Sequence, residues 1–324
     1  MFRRCRALAA LALCVLLLAL APALAAEATP PEPPERLTVL LDWFVNPDHA
    51  PLVIARERGL FAAHGLDVEL IAPADPAAPP RLLAAGSADV AISYQPNLYL
   101  QVAEGLPVVR IGTLVATPLN ALVVDRAGPI GSLADLKGRT IGYSVAGFED
   151  ALLGAMLATV GLTLDDIELV NVNFALTPAL LSGRVAGVIG AFRNFELTQI
   201  ALEGREGRAF YPEEHGVPVY DELIFIARRD DLGRDALARF LAAIEEAVLW
   251  QTNHPEEALA VFLAAHPELD DELNRRAFAD TLRRFALRPA ALDSGRYQRF
   301  AAFMQAAGLI DEALPVDRYA AVIR

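Results

Sequence analysis

Two groups of side chains with binding chemistry follow predicted strands in the first third of the chain. The first group, Asp42, Trp43, Asn46 and His49, follows the first strand. An indole beside a carboxylate suits a flat ring that carries an amine, because the ring can stack and the amine can donate a charge-assisted hydrogen bond. Alternatively, Trp43 belongs to a core, Asp42 caps a turn, and His49 caps or packs at the start of a helix.

The second group follows the third strand, in the sequence SYQPN. Tyr94 could supply an aromatic face opposite Trp43, and the Gln95 amide can both donate and accept a hydrogen bond. Pro96 ends the strand because it lacks the amide hydrogen that sheet pairing needs. The alternative interpretation is a buried tyrosine beside a loop amide.

Further candidates lie in the middle of the chain. Glu149 and Asp150 occupy the first turn of a predicted helix, where acids complement the helix dipole, so we interpret them as structural capping. Asn194 and Glu196 lie at a strand-to-helix junction. The Glu196 carboxylate could pair there with an amine or a ring nitrogen, or it could compensate the dipole. Tyr220 lies where we expect the chain to return between two lobes.

Composition and motifs exclude several functional classes. The 324-residue chain has a formal net charge of −13 and a pI near 4.9. This acidity excludes a nucleic-acid partner, because phosphate binding needs a basic surface. The sequence lacks a nucleophile elbow, a phosphate loop, a paired-histidine metal motif and a dinucleotide fingerprint. Its two cysteines are Cys5 and Cys14. We therefore expect no catalytic residue, no metal site and no cofactor.

The N-terminus has the pattern of a secretory signal. Three arginines precede an apolar run from Ala7 to Leu20, and a small-x-small cleavage pattern ends at Ala25. The run is shorter than the roughly 20 residues of a membrane span. We predict a periplasmic protein with a signal peptide over 1–25, cleaved near Ala25, and a Pro-rich tether over 26–36. An uncleaved or lipid-anchored N-terminus is the alternative.

The remaining chain alternates between predicted strands and helices, which indicates an α/β fold with βαβ units and a mostly parallel sheet. The predicted strands span 37–43, 67–73, 88–94, 108–116, 120–126, 140–145, 167–173, 185–192 and 222–229. The predicted helices span 51–63, 80–85, 97–104, 133–138, 149–160, 177–182 and 195–203, with four more over 233–252, 255–264, 270–285 and 290–307.

The strand pattern breaks twice, which divides the chain into two α/β lobes joined by a hinge, with a helical C-terminal stretch. We assign residues 37–118 and 223–324 to lobe 1 and residues 119–222 to lobe 2. In a protein built this way, the ligand lies between two lobes that close around it.

Five segments together resemble the ABC-transporter substrate-binding proteins of the thiamine-pyrimidine family, which bind formyl-aminopyrimidine and hydroxymethylpyrimidine. The resemblance covers residues 37 to about 265. It implies a type II periplasmic-binding-protein fold, an aminopyrimidine ligand between the lobes, and delivery to an ABC permease and its ATPase. We expect a monomer that meets the membrane only through the permease. The segments are LDWFVNPDHAPLVIARERGLFAAHGLDVEL, GSADVAISYQPN, LKGRTIGYSV, SGRVAGVIGAFRNFE and HGVPVYDELIFIARRD.

The resemblance also implies roles for individual residues. Trp43 would stack on the pyrimidine, Tyr94 would form the wall of lobe 1, and Glu196 would hydrogen-bond the exocyclic amine and a ring nitrogen. The resemblance implies three further ligand contacts, which are Asp42, Asn46 and Tyr220. One stretch departs from the family pattern, because the usual Asn-Thr-Asn-His reads Asn46-Pro47-Asp48-His49. We therefore expect an altered wall near His49.

Two alternatives stay open. A fungal pyrimidine-precursor synthase shares the implied fold, but it has a lysine and a histidine after its third strand and a cysteine-rich iron motif. Residues 91–100 contain neither lysine nor histidine, and no cysteine follows residue 14. A binding protein for riboflavin, nitrate or an alkanesulfonate such as taurine would keep the class and change the ligand. An anion would need a cationic partner, and Arg193 is the candidate.

Overall fold

Two five-stranded sheets organise the protein in a computed structural model that describes residues 33–323. The predicted signal peptide and residues 26–32 of the predicted tether lie outside the described residues. The strands are β1 (Glu35–Leu40), β2 (Leu66–Ile71), β3 (Val90–Ser93), β4 (Val108–Val115), β5 (Asn120–Asp125), β6 (Thr140–Tyr143), β7 (Glu168–Asn171), β8 (Gly187–Phe192), β9 (Gly207–Phe210) and β10 (Leu223–Arg228).

Helices cover both sheets and make up most of the C-terminal part. They are α1 (Ala50–Glu57), α2 (Leu60–Ala63), α3 (Pro79–Ala84), α4 (Gln95–Ala103), α5 (Phe148–Ala158), α6 (Leu176–Leu181), α7 (Glu196–Leu202), α8 (Asp235–Asn253), α9 (Pro255–Ala265), α10 (Glu272–Thr281) and α11 (Ser294–Ala306). Short 3-10 helices span Pro47–His49, Leu133–Leu136, Leu164–Asp166, Pro212–Glu214, Arg229–Asp231, Pro267–Leu269 and Val316–Arg318. Within residues 33–323, no helix combines the length and apolarity needed to cross a membrane.

Both sheets are mixed. In each one, four strands run in the same direction, as the prediction of a mostly parallel sheet requires, and one strand runs in the opposite direction. The strand orders are β2-β1-β3-β10-β4 in lobe 1 and β7-β6-β8-β5-β9 in lobe 2. In lobe 1, β1 runs parallel to β2 and β3, whereas β10 runs antiparallel to β3 and β4. The direction follows from the route of the chain. β4 ends at the hinge and β10 begins there, so β10 must run in the opposite direction.

Lobe 2 repeats this arrangement with its own hinge strand. β6 runs parallel to β7 and β8, and β5, which comes directly from the hinge, runs antiparallel to β8 and β9. The sequence pattern did not predict β9, a four-residue edge strand with the sequence GRAF. In both sheets the loops that follow the parallel strands face the gap between the lobes, where α/β sheets bind ligands.

Local chemistry accounts for other differences from the predicted elements. The predicted helix over 51–63 is divided at Gly59, whose φ of +69° is left-handed and ends α1. β1 begins two residues before the predicted strand, because Glu35 and Arg36 already pair with β2. α11 begins at Ser294 rather than at residue 290, because the Asp293 side chain accepts a hydrogen bond from Arg296 N.

The hinge consists of two chain crossings joined by one carboxyl group. The chain leaves lobe 1 after β4 and returns into β10. Glu222 Oε2 accepts hydrogen bonds from the backbone N–H groups of Leu119 (2.5 Å) and Asn120 (2.9 Å), so the returning crossing is tied to the outgoing one. Burial raises the pKa of Glu222 to about 7.

Candidate functional site

A pocket with an empty volume of about 410 Å³ lies between the two sheets. Its walls come from loops and helix starts at the carboxyl ends of strands in both lobes, as expected for an α/β ligand site. Lobe 1 contributes Asp42, Trp43, Asn46, Asp48 and Tyr94. Lobe 2 contributes Glu149, Leu176, Gly190, Phe192, Phe195 and Glu196.

Aromatic rings from lobe 1 pack on aromatic rings from lobe 2. Trp43 is half-buried and meets Phe174 edge-on, with ring centroids 4.6 Å apart. Tyr94 stacks on Phe148 at 4.5 Å with an interplanar angle of 21°. The lobes are thus closed upon each other, and the pocket is a slot with aromatic edges that suits a flat ring.

Asp42 organises the lobe 1 wall. Its Oδ2 accepts a hydrogen bond from the Tyr94 hydroxyl, and its Oδ1 accepts one from His49 Nε2, each at 2.9 Å. The backbone N–H of Asn46 donates to His49 Nδ1 (3.3 Å), which leaves the proton on Nε2. Burial raises the pKa of the Tyr94 phenol well above its usual value, so it stays a donor. His49 is fully buried behind Asp42 and does not line the pocket.

Asn46 shapes the turn that brings an acid into the pocket. Its side-chain oxygen accepts from the backbone N–H of Asp48 (2.8 Å), which caps the 3-10 helix Pro47–His49. Asp48 Oδ1 in turn accepts from Asn194 Nδ2 and Thr281 Oγ1, each at 2.7 Å. Asn194 therefore links lobe 2 to lobe 1 instead of lining the pocket. Burial raises the pKa of Asp48 to about 6.

Glu196, the first residue of α7, turns its carboxyl group back toward the end of β8. Its Oε2 accepts from the backbone N–H of Phe192 at 2.6 Å, and the side chain lines the pocket. Burial, together with the nearby Asp48 carboxylate, raises the pKa of Glu196 to about 8. At neutral pH the group is therefore mostly protonated. It can donate through its hydroxyl and accept through its carbonyl oxygen.

Glu149, which we interpret from the sequence as structural capping, also lines the pocket. Its Oε2 accepts from the backbone N–H of Ser144 (2.7 Å), which precedes α5, and the side chain is only 3% exposed. Gly190, in β8, has a φ of +93°, and a Cβ there would overlap the Glu149 carboxyl group. Glycine within a strand often marks such a close approach, and this was the available sequence signal.

Two predicted site residues face the hinge instead of the pocket. Gln95 Oε1 accepts from the backbone N–H of Asp221 (2.7 Å), and its Nε2 donates to the Tyr99 hydroxyl (3.0 Å). Tyr220 is fully buried and meets Phe300 edge-on at 5.5 Å. Neither side chain lines the pocket.

The lining of the pocket is acidic. Arg193, the candidate partner for an anionic ligand, does not line it. Arg193 donates to both carboxylate oxygens of Glu213 (2.6 and 3.0 Å), and its guanidinium lies 4.0 Å from the ring centre of Tyr211. No arginine or lysine lines the pocket in the described part of the chain. Across residues 33–323, no group of three or more acidic, histidine or cysteine side chains could hold a metal ion.

Known proteins resemble this chain in sequence. Residues 46–258 match the family described as NMT1/THI5 like. The chain belongs to this family. It is 52% identical over 290 residues to a Haemophilus influenzae protein named for thiamine biosynthesis, covering 89% of this chain and 92% of that protein.

Other members of the NMT1/THI5-like family have two kinds of name. The formylaminopyrimidine-binding protein of Halalkalibacterium halodurans is 34% identical over 251 residues, covering 76% of each chain. A 4-amino-5-hydroxymethyl-2-methylpyrimidine phosphate synthase of Legionella pneumophila is 26% identical over 253 residues, covering 76% of this chain and 79% of that enzyme. The family therefore includes a named binding protein and a named synthase.

Solved structures share the architecture of this family member at low sequence identity. The alkanesulfonate-binding protein SsuA from Xanthomonas axonopodis pv. citri, bound to MOPS, aligns with a TM-score of 0.68 at 18% identity, covering 88% of this chain and 97% of that one. The predicted periplasmic-binding-protein fold, with two α/β lobes, is thereby confirmed.

Proposed function

We propose that this protein is the periplasmic solute-binding component of an ABC importer, which binds an aminopyrimidine precursor of thiamine between its lobes and delivers it to a permease and its ATPase. The observation that carries the proposal is an interlobe slot that combines aromatic edges with the buried, protonated carboxyl group of Glu196. The named formylaminopyrimidine-binding relative supports the same ligand class. We further propose that the protein acts as a monomer.

Glu196 matches one edge of an aminopyrimidine. A protonated carboxyl group can donate to a ring nitrogen and accept from the neighbouring exocyclic amine, which gives two hydrogen bonds in one plane. Trp43 would supply stacking contact with the ring, and Tyr94, held by Asp42, would fix the opposite wall. Asp42 and Asn46 line the same slot.

The alternative ligands fit this pocket less well. Nitrate and alkanesulfonates are anions, and they would meet the carboxyl groups of four acidic residues without an arginine or lysine in the lining. Riboflavin would gain from stacking, but it carries no amine that could pair with the acidic groups of the lining.

A synthase activity has less support, although several relatives carry that name. The pocket lining contains neither lysine nor histidine. The segment from Ala91 to Leu100, which includes β3 and the start of α4, also lacks both residue types. Binding and release thus account for the lining better than a reaction does. The signal-like N-terminus of the sequence supports export.

Calorimetric titration of the purified protein tests the proposal. The ligand panel contains formyl-aminopyrimidine, hydroxymethylpyrimidine, riboflavin, taurine and nitrate. We expect binding of an aminopyrimidine and none of the other three. Binding of only taurine, nitrate or riboflavin would overturn the ligand assignment, and binding of nothing in the panel would overturn the pyrimidine proposal as a whole.

Trp43→Ala tests the placement of the ligand. Loss of a stacking platform costs about 1–3 kcal/mol, which weakens affinity by about 5- to 150-fold. Trp250→Ala is the matched control, because Trp250 is the only other tryptophan and lies against Arg58 and His254 outside the pocket. In Trp250→Phe, fluorescence reports Trp43 alone and should respond to the ligand. Equal affinities of Trp43→Ala and Trp250→Ala would contradict this site.

A further inference from the structure

The acidic groups of the pocket have different charged neighbours. Glu196 has Asp48 as its charged neighbour, whereas the charged neighbours of Glu149 are Asp150 and Glu222. Glu149 also lies against Gly190 in the middle of β8, while Glu196 lies at the end of that strand. A ligand that binds Glu196 with one edge can therefore meet a second acid of the pocket, Glu149, with another part of its surface.

Glu149 is a buried acid without a cationic partner. Among residues 33–323, no basic side chain forms an ion pair with it, and the titratable groups that face it, Tyr94, Asp150 and Glu222, are all acids. Burial raises the pKa of the Glu149 carboxyl well above its usual value. The backbone N–H groups of Ser144 and Val145 stabilise its charged form in part, and a cation brought close to the carboxyl group would lower its pKa and favour the carboxylate.

The surrounding chain is built to admit this side chain. Gly190 leaves the space that the carboxyl group occupies, and the backbone N–H of Ser144 holds one of its oxygens. Compensation of the helix dipole does not require this burial, because Asp150 in the same turn of α5 is half-buried and lies outside the pocket. The space at Gly190 and the position of Asp150 both favour a group of the ligand as the partner of the Glu149 carboxyl group.

We propose that Glu149 is the counter-ion for a positively charged amine on the ligand, away from the edge that Glu196 binds. This inference rests on the proposed function and narrows its substrate class to aminopyrimidines with a protonated aminomethyl substituent. The neutral hydroxymethyl and formylaminomethyl analogues would bind less tightly. A hydrogen bond between two charged groups is roughly twice as strong as a neutral one, and here it would form away from water.

Three ligands that differ only in this substituent test the inference. Calorimetry at pH 7.5 compares the aminomethyl, hydroxymethyl and formylaminomethyl forms of the same 4-amino-2-methylpyrimidine. We expect the aminomethyl form to bind about tenfold more tightly than the hydroxymethyl form. Equal or tighter binding of either neutral form would overturn the inference and leave the proposed function intact. If none of the three pyrimidines binds, the proposed function itself fails.

Variants then assign the preference to one side chain. Glu149→Gln keeps an acceptor for Ser144 N and the volume of the side chain, but it cannot become a counter-ion. We expect it to lose the tenfold preference, so that the aminomethyl and hydroxymethyl forms bind to this variant with equal affinity. Asp150→Asn removes an acid from the adjacent position and should keep the preference. A Glu149→Gln protein that still prefers the amine would overturn the assignment to Glu149.

Discussion

The two lobes each bring two acidic residues to the pocket, but they hold them differently. In lobe 1, both oxygens of Asp42 accept from side chains, those of Tyr94 and His49. Asp48 likewise accepts from side chains, one of them supplied by lobe 2. The lobe 1 acids thus belong to networks in which several residues depend on one another.

In lobe 2, the acids are held by the backbone. Glu149 accepts from the amide of Ser144 and Glu196 from the amide of Phe192. A backbone amide fixes the carboxyl group without engaging other side chains, so the group stays available for a ligand. The lobe 1 acids therefore mainly shape the pocket, whereas the lobe 2 acids remain available for contacts with a ligand.

Asp42→Ala should have the largest effect on stability. It leaves two buried donors, Tyr94 OH and His49 Nε2, without an acceptor, at a cost of about 1–3 kcal/mol each. Chemical denaturation measures the loss in free energy of unfolding. Asp42→Asn, which retains one acceptor oxygen, should lose roughly half as much. If Asp42→Ala costs less than 1 kcal/mol, the network does not hold the wall.

Glu196→Gln should have a smaller effect on stability, and its sign should depend on pH. The pKa of Glu196 is raised from 4.5 to about 8 in the folded protein. The folded state therefore binds more protons than the unfolded state across this range, and wild-type stability falls as pH rises from about 4.5 to about 8. Below that window the raised pKa costs nothing, whereas above it the full penalty of a buried carboxylate applies.

The variant removes this titration while keeping an acceptor for Phe192 N. Thermal unfolding without ligand at pH 5, 6, 7 and 8 should give a shallower decline for Glu196→Gln than for the wild type. At pH 8 the variant should be the more stable protein, by about 1–3 kcal/mol. Asp48 and Glu222, whose pKa values are also raised, should preserve part of the slope. Parallel pH profiles would contradict the assigned pKa of Glu196.

Asn194→Ala should have the smallest effect of the three. It removes the hydrogen bond from lobe 2 to Asp48, worth about 0.5–1.5 kcal/mol. Because the bond joins the two lobes in this closed arrangement, ligand affinity should fall by about two- to tenfold. Calorimetry measures affinity, and X-ray scattering should show a more open ligand-free protein. An unchanged affinity would mean that this link does not contribute to closure.

Much of the fold could be predicted from the sequence, because βα alternation depends on local patterns. The direction of β10 could not be predicted, because it depends on where the chain re-enters lobe 1. The short edge strand β9 was not predicted either. In the site, Asp42, Trp43, Tyr94 and Glu196 were predictable because residues that follow parallel strands meet at one edge of a sheet.

Other parts of the site depend on packing that no local pattern records. Glu149 and Asp150 occupy the same helical turn, and the space left by Gly190 accommodates the Glu149 carboxyl group in the pocket. Asp48 enters through the turn capped by Asn46, and Gln95 faces away because Asp221 binds its side chain. Such orientations are set by tertiary contacts between distant segments.

The position of β10 has a consequence for the order in which the protein can fold. This strand lies between β3 and β4, with Ile224 paired to Ser93, although the whole of lobe 2 separates them in the chain. The five strands of lobe 2 come from one continuous segment, so that lobe can form its sheet as soon as it is synthesised. Lobe 1 must wait for the last strand, and such distant pairing is slow. The proposed export, in which the chain crosses a membrane before it folds, would benefit from that delay, because the N-terminal third cannot complete a sheet on its own.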